Sequence, residues 1–372
     1  MKNDNFVVPS DKLEHAVTDI FTKAGSSAAE SKRIAHYLVG ANLAGHDSHG
    51  VARVIRYVQL VQEKQVLPDQ EVDVIVDTPV IAVVDGKYGF GQTVAPQAVQ
   101  IGIDKCKHGG LSAVGLRNAG HVGRVGDWAD MAAQAGLISI HFVNAAGSIL
   151  VAPFGSTDRR FSTAPYCVGV PMPGRPPLVL DFATALVAEG KVFVASQGGK
   201  PIPSDALIGP DGKPSDDARL LYGDYITTGK RDIASGKGAI RAFGDHKGSG
   251  LALICEVLGG ALSGTGCTTP GRRIANGMFS VYIDPAVVDP AGMFSDDVLR
   301  FVDFVKKAKP IPPITETLVP GEPELRMREE RLQTGVPLPQ ETWRSLLDAA
   351  RLAGMTAQWL EATAALAKLP HA

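Results

Sequence analysis

The hydrophobic period of this chain changes at Pro68, and that change limits the available folds more than any other feature. Before it, Leu13, Ala16, Val17, Ile20 and Phe21 recur at helical spacing, with Ser10 placed to cap the helix and Gly25 to stop it. The pattern repeats from Ser27 to Ala44 through Ile34, Ala35, Leu38 and Val39, and from Ser48 to Lys64 through Val51, Val54, Ile55, Val58 and Val61. After Pro68, β-branched runs at 72–76 and 80–84, separated by Thr78-Pro79 and closed by Asp85-Gly86, predict strands joined by turns. Further strands are expected at 111–116, 137–143, 178–181 and 279–283. Helices are expected at 94–107, 126–135, 185–196, 247–262, 301–308 and 341–352. Such alternation predicts a layered α/β domain over 71–299, beside a helical unit at 1–70 that the C-terminal helices of 300–372 join. Residues 200–247, rich in Gly, Pro and Asp, are expected to include long loops.

A chain of 372 residues can bury a sizeable core without metal or disulfide support. Its 37 basic and 39 acidic side chains leave a charge of −2, so no basic excess draws it to nucleic acid or an anionic membrane. A small-molecule partner is expected instead. Cys106, Cys167, Cys255 and Cys267 are scattered without a CxxC pair and read as buried thiols in a reducing compartment. The first residues, MKNDNFVVPSDKLEH, lack the apolar core of a signal peptide, and no apolar run approaches ~18 residues, so a cytoplasmic protein is expected.

Four polar clusters interrupt this scaffold. In His46-Asp47-Ser48-His49-Gly50-Val51-Ala52-Arg53, a Ser48 cap would put His49 in the first helical turn and Arg53 four residues later on the same face. Arg can grip a carboxylate through two parallel hydrogen bonds, and a neighbouring His can give or take a proton. The other readings are a simple cap with packed histidines, or a cation held by His46, Asp47 and His49 with His121 or His246. Asn118-Ala119-Gly120-His121-Val122-Gly123-Arg124 follows a strand, where open α/β sheets place ligands, and offers His121 as a second acid–base group or a structural turn. In Gly244-Asp245-His246-Lys247-Gly248-Ser249-Gly250, free N–H groups at a helix start, small residues and Lys247 suit a phosphate or carboxylate. Asp181, at the end of an apolar strand, can orient a His, accept from backbone amides, or cap the next helix. No GxGxxG occurs, so the usual Rossmann dinucleotide fingerprint is absent.

Together these segments resemble the malate/L-lactate dehydrogenase family, NAD(P)-dependent 2-hydroxyacid oxidoreductases without a Rossmann fold. The resemblance rests on SHGVAR, NAGHVG, VAPFGS, STAPYCVGVP, LDFAT, HKGSGLAL and LVPGEPELRMREERLQTGVPL, and spans nearly the whole chain. ANLAGHDSHG and CEVLGGALSG look most like its hydroxycarboxylate dehydrogenase B branch. It implies a non-Rossmann, L-sulfolactate dehydrogenase-like sheet domain with a smaller helical domain, NAD or NADP as cofactor, a 2-hydroxy or 2-oxo acid as substrate, and a homodimer. It implies that His49 or His121 supplies the substrate proton, with Asp181 in the same pocket and Ser48, Arg53 and Thr163 near the substrate. For the cofactor it implies Leu180, Asp181, Phe182, Ala183, Thr184, Ala185 and Leu186, then Lys247 with Gly248, and Gly321, Glu322 and Pro323. No metal is implied. Where relatives commonly read GTNP, this chain reads Ser162-Thr163-Ala164-Pro165, so the Asn amide is absent at Ala164 and any polar contact made through it is not implied here. A reductase of cyclic 2-imino acids would need the same carboxylate clamp. A metal-dependent hydrolase or lyase is the alternative from another class.

Overall fold

The computed structural model describes residues 5–196, 200–225, 232–233 and 235–368. Its centre is a seven-stranded sheet in the order Asp73–Asp77, Ile81–Asp85, Leu111–Ala119, Ala275–Ile283, Ile138–Ala146, Pro165–Val170 and Leu178–Ala183. Only Ile81–Asp85 and Leu111–Ala119 pair in parallel; every other adjacent pair is antiparallel. The parallel pair requires a crossover, which the Gly91–Gly109 helix supplies. Ala275–Ile283, the latest strand in the chain, is inserted between two earlier ones, a topology unlike that of a doubly wound nucleotide-binding sheet.

Two of the four apolar clusters among the described residues hold the elements that carry the polar turns. One, with Val84, Val94, Val99, Leu116, Trp128 and Tyr282, lies between the sheet and the Gly91–Gly109 and Gly126–Gln134 helices. The second joins Leu13, Ile20, Phe21, Ile34 and Leu38 near the N-terminus to Trp343 and Leu346 of the Gln340–Ala353 helix. A two-stranded ribbon, Phe6–Val8 with Val336–Leu338, closes it. The ribbon was not expected: three-residue strands carry no readable period. Among the described residues, no helix is long and apolar enough to cross a membrane.

Several sequence expectations are corrected. Ser10 is the first residue of its helix, and its side chain does not cap it; Pro9 holds the cap position. The segment 48–64 is not one helix but two 3₁₀ turns, Asp47–His49 and Val51–Arg53, followed by the Val54–Gln62 helix. Ser48 therefore is not an N-cap. Extended backbone at Gly50 separates the turns, and a Cβ there would lie 2.2 Å from the Asn42 side-chain oxygen. The helix at 247–262 is an α-helix, His246–Cys255, running into a π-helical stretch, Glu256–Leu262. Residues 200–247 also carry the short strands Leu207–Ile208, Pro214–Ser215 and Ala239–Arg241, which form a small sheet with Val151–Ala152, while 226–231 and 234 lie outside the described residues. Cys267 is only partly buried, unlike the other three thiols.

The sheet buries one histidine completely. His141 bonds the Ser280 and Ser139 hydroxyls at 2.8 and 3.0 Å, and burial pulls its pKa down to about 3. The unfolded chain binds this proton below the ordinary value of 6.5, and the folded chain does not until about 3. His141 therefore costs stability as pH falls through that window, by up to ~1.4 kcal/mol per pH unit. Denaturant midpoints between pH 7 and 5 are expected to fall less steeply in His141→Gln than in the parent.

Candidate active site

The first two polar clusters converge. His49 and His121, 72 residues apart in sequence, stack with ring centroids 5.5 Å apart and planes 14° from parallel. His121 follows the Leu111–Ala119 strand, and its Nδ1 lies 2.6 Å from the Tyr57 hydroxyl, which accepts from Gln92 Nε2 at 3.2 Å. Ser48 Oγ lies 3.2 Å from His49 Nδ1. Each imidazole is thus held at Nδ1, and Nε2 is the ring nitrogen without a hydrogen-bond partner among the described residues.

Arg53 reaches the same space by a route the helical reading did not foresee. Its Nε donates to the Ser48 carbonyl at 2.6 Å, folding the side chain back over the two 3₁₀ turns. Among the described residues it has no acidic partner, whereas nearby Arg124 pairs with Asp127 at 2.7 Å. Burial and the charge of Arg53 pull the His121 pKa down to about 3. Burial, followed by His121 and Arg53, pulls His49 well below its ordinary value. Both imidazoles are neutral near pH 7 beside an unneutralised guanidinium, an arrangement matched to an incoming carboxylate.

The loop bearing these groups is anchored from distant sequence. Asp47 accepts from Asn42 Nδ2 at 2.6 Å and from both terminal nitrogens of Arg331, at 2.7 and 3.1 Å. His46 bonds Glu324 at 3.1 Å. Arg331 and Glu324 belong to the Glu322–Thr334 helix, so two of the side chains a cation reading would recruit already have protein partners. Among the described residues, no group of three or more His, Cys, Asp or Glu could hold a metal ion.

Asp181 sits within, not at the end of, its strand and accepts from Gly126 N at 2.7 Å, capping a helix remote in sequence instead of the next one. Burial pushes its carboxyl up, partly offset by His46 and Arg124. Thr163 is fixed through its carbonyl, which accepts from Thr184 N at 3.1 Å. Ala164 adopts a φ of +28°, a region Asn tolerates better than Ala, so the departure from GTNP falls on a strained backbone position.

The residues expected near a cofactor fall into two groups. Leu180–Leu186 is continuous with the His246–Cys255 helix start: Thr184 O accepts from Phe243 N at 3.1 Å, Phe243 O accepts from Gly248 N at 3.1 Å, and Phe182 packs edge-on against Phe243. Gly321 lies instead at the opposite end of the Leu178–Ala183 strand, where its Cβ would be 3.1 Å from the Pro177 carbonyl. Six residues of strand separate the two ends, ~20 Å. Glu322 is bonded to Lys306 and to Val319 N. The expected free N–H groups at the helix start are narrowed: Lys247 and Gly248 donate to Gly244 and Phe243, which leaves the His246 N–H and the exposed Lys247 ammonium as the available groups there.

Tyr57, Gln92, Glu324 and Arg331 were given no role by the sequence reading, and Arg124 stood there only as part of its turn. Tyr57 had a signal, its place four residues after Arg53 on one helix face. Gln92, Glu324 and Arg331 have none that is local, because their contacts span 35 to 289 residues.

Residues 8–347 match the family described as malate/L-lactate dehydrogenase. Hydroxycarboxylate dehydrogenase B of Escherichia coli O157:H7 is 37% identical over 356 residues, covering 94% of this chain and 95% of the relative. An E. coli protein assigned as a malate/lactate dehydrogenase superposes with a TM-score of 0.88 at 35% identity, over 96% of this chain and 98% of that one. Sulfolactate dehydrogenase from Methanocaldococcus jannaschii superposes with a TM-score of 0.79 at 28% identity, over 96% and 99%.

Proposed function

The chain belongs to the malate/L-lactate dehydrogenase family and is an oxidoreductase of 2-hydroxy acids, and from that premise we propose how its own residues perform the reaction. Arg53 binds the substrate carboxylate, His121 exchanges the proton on the C2 oxygen, and His49 and Ser48 complete the pocket wall, with Thr163 and Asp181 at its border. The observation that carries this reading is a guanidinium with no acidic partner among the described residues, set beside two stacked, neutral imidazoles.

The geometry supports His121 as the principal acid–base group because its ring is held by the shorter bond, 2.6 Å to Tyr57. Burial raises the Tyr57 pKa to about 12, so the phenol keeps its proton. For Nε2 to take the substrate proton the neutral ring must carry its hydrogen on Nδ1, which donates to the Tyr57 hydroxyl oxygen both before and after the transfer. One side chain thus serves both directions of the reaction.

Nicotinamide, when bound, supplies or takes the hydride at C2 of the substrate. The residues here fit such a dinucleotide: Lys247 presents an exposed ammonium without an ion-pair partner among the described residues, and open space surrounds the Cβ positions of Gly244 and Gly250. Lys247, Gly248 and Leu180–Leu186 would hold it, with Gly321, Glu322 and Pro323 bordering the far end of the same strand. Lys247→Ala is expected to weaken cofactor binding about fivefold, as suits an exposed charge worth ~1 kcal/mol, with little change in substrate KM. Fluorescence titration with NADH and NADPH checks it; unchanged affinity would remove Lys247 from the site.

We further infer a cytoplasmic homodimer: the four cysteines are free, as a reducing compartment keeps them, and dimerisation follows the family resemblance. Light scattering at assay concentration tests the second point, and a fully active monomer would refute it. The function is tested by assaying L-lactate and L-malate with NAD⁺ and NADP⁺, and pyruvate and oxaloacetate with the reduced cofactors. Turnover in the absence of nicotinamide would overturn it.

A further inference from the structure

One buried acid, Glu256, has no part in the chemistry above. Glu256 is 3% exposed and opens the π-helical stretch Glu256–Leu262, a widened turn of the kind that often marks functional sites. Every group bonded to its side-chain oxygens is a donor. Ser162 gives its N–H at 3.1 Å and its hydroxyl at 2.7 Å, Thr268 its N–H and hydroxyl at 2.9 Å each, and Asn144 its amide at 3.0 Å.

Two chains of bonds leave this acid and end at the two sides of the pocket. Ser162 immediately precedes Thr163 and the positive-φ Ala164, and its Oγ also accepts from Ala164 N at 3.3 Å. In the other direction, the Asn144 carbonyl accepts from Asn276 Nδ2 at 2.7 Å, and Asn276 Oδ1 accepts from Val122 N at 2.8 Å, one residue after His121. The packing leaves little slack. A Cβ on Gly277 would lie 2.0 Å from the Gly259 carbonyl, and one on Gly260 would lie 2.5 Å from Asn144 Nδ2.

We propose that Glu256 is a positioning residue, which through Ser162 on one side and Asn144 and Asn276 on the other sets the placement of the Thr163 turn relative to His121. This rests on the dehydrogenase reading above for its catalytic consequence, though not for the coupling itself. A carboxylate suits the role because it presents acceptors only, whereas a Gln would turn an NH₂ toward donors. Misplacing reacting groups by about 1 Å can cost on the order of 10²-fold in rate, so a positioning residue acts on kcat far more than on binding.

The test compares Glu256→Gln and Ser162→Ala with the parent, using L-lactate and L-malate and the same compounds deuterated at C2. Glu256→Gln is expected to lower kcat roughly 10- to 100-fold and to raise the primary deuterium isotope effect, with cofactor affinity changed less than twofold. Ser162→Ala, which removes one donor, is expected to do the same to a smaller degree and serves if the Gln variant does not fold. Amide exchange is expected to speed up together in segments 160–166 and 118–126. Loss of protection at 160–166 alone, or kcat within twofold of the parent at an unchanged isotope effect, would overturn the proposal. If the parent turns over no 2-hydroxy acid, the dehydrogenase reading fails, while the exchange measurement still decides whether Glu256 couples the two turns.

Discussion

His121→Ala is expected to lower kcat by about 10²- to 10⁴-fold with the fold intact, the range general acid–base catalysis supplies. Its ring is oriented by Tyr57 at 2.6 Å and, among the described residues, faces no carboxylate within hydrogen-bond distance, so its loss removes the proton acceptor without stranding a described buried charge. Its neutral state fixes the direction of the pH dependence. With a pKa of about 3 in the free protein, the imidazole is already a base throughout pH 5–8, so kcat/KM for oxidation of a 2-hydroxy acid should be insensitive to this group there. Reduction of a 2-oxo acid needs the protonated form, whose fraction falls tenfold per pH unit above that pKa. Its kcat/KM should rise as pH falls, until another group titrates or the fold fails. Steady-state profiles in both directions check this. A larger loss in His49→Ala than in His121→Ala would transfer the acid–base role to His49.

Arg53→Lys is expected to lower kcat/KM for acid substrates roughly 10- to 100-fold although the charge is kept. A hydrogen bond to a charged group is worth ~1.5–3 kcal/mol, and an ammonium cannot reproduce the planar two-point grip of a guanidinium. The substitution also removes the Nε that donates to the Ser48 carbonyl at 2.6 Å, which aims the head group. Pyruvate and its amide separate the two contributions. A clamp predicts a large loss for the acid and a small one for the amide; a purely structural arginine predicts equal losses, which would end the assignment.

The Val54–Gln62 helix shows how much could be read in advance. Its apolar spacing was visible in Val54, Ile55, Val58 and Val61, yet the two 3₁₀ turns before it were not, because they arise from Gly50 packing against the Asn42 side chain. The Gly91–Gly109 helix was expected to begin at 94 but starts three residues earlier, and it runs on through Pro96, which leaves the Gln92 carbonyl without its i→i−4 donor. Ser48, His49, Arg53 and His121 stood out as polar residues at turns, where a sequence advertises chemistry. The polar Glu322–Thr334 helix offered no apolar stripe to detect, and it supplies Glu324 and Arg331 to the loop bearing His46 and Asp47.

Local sequence alone determined the alternation of strands and helices, the helical character of the first 65 residues, and the ordered motifs that mark the family, because periodicity and turn chemistry act over a few residues. Strand order, the stacking of His49 on His121, the lowered imidazole pKa values and the Glu256 network were decided only by tertiary structure. Ala275–Ile283 enters the middle of the sheet beside strands formed more than 120 residues earlier, and carries Asn276 to Val122. Desolvation and hydrogen-bond distance depend on what packs against a group in space, and no window of neighbouring residues contains that information.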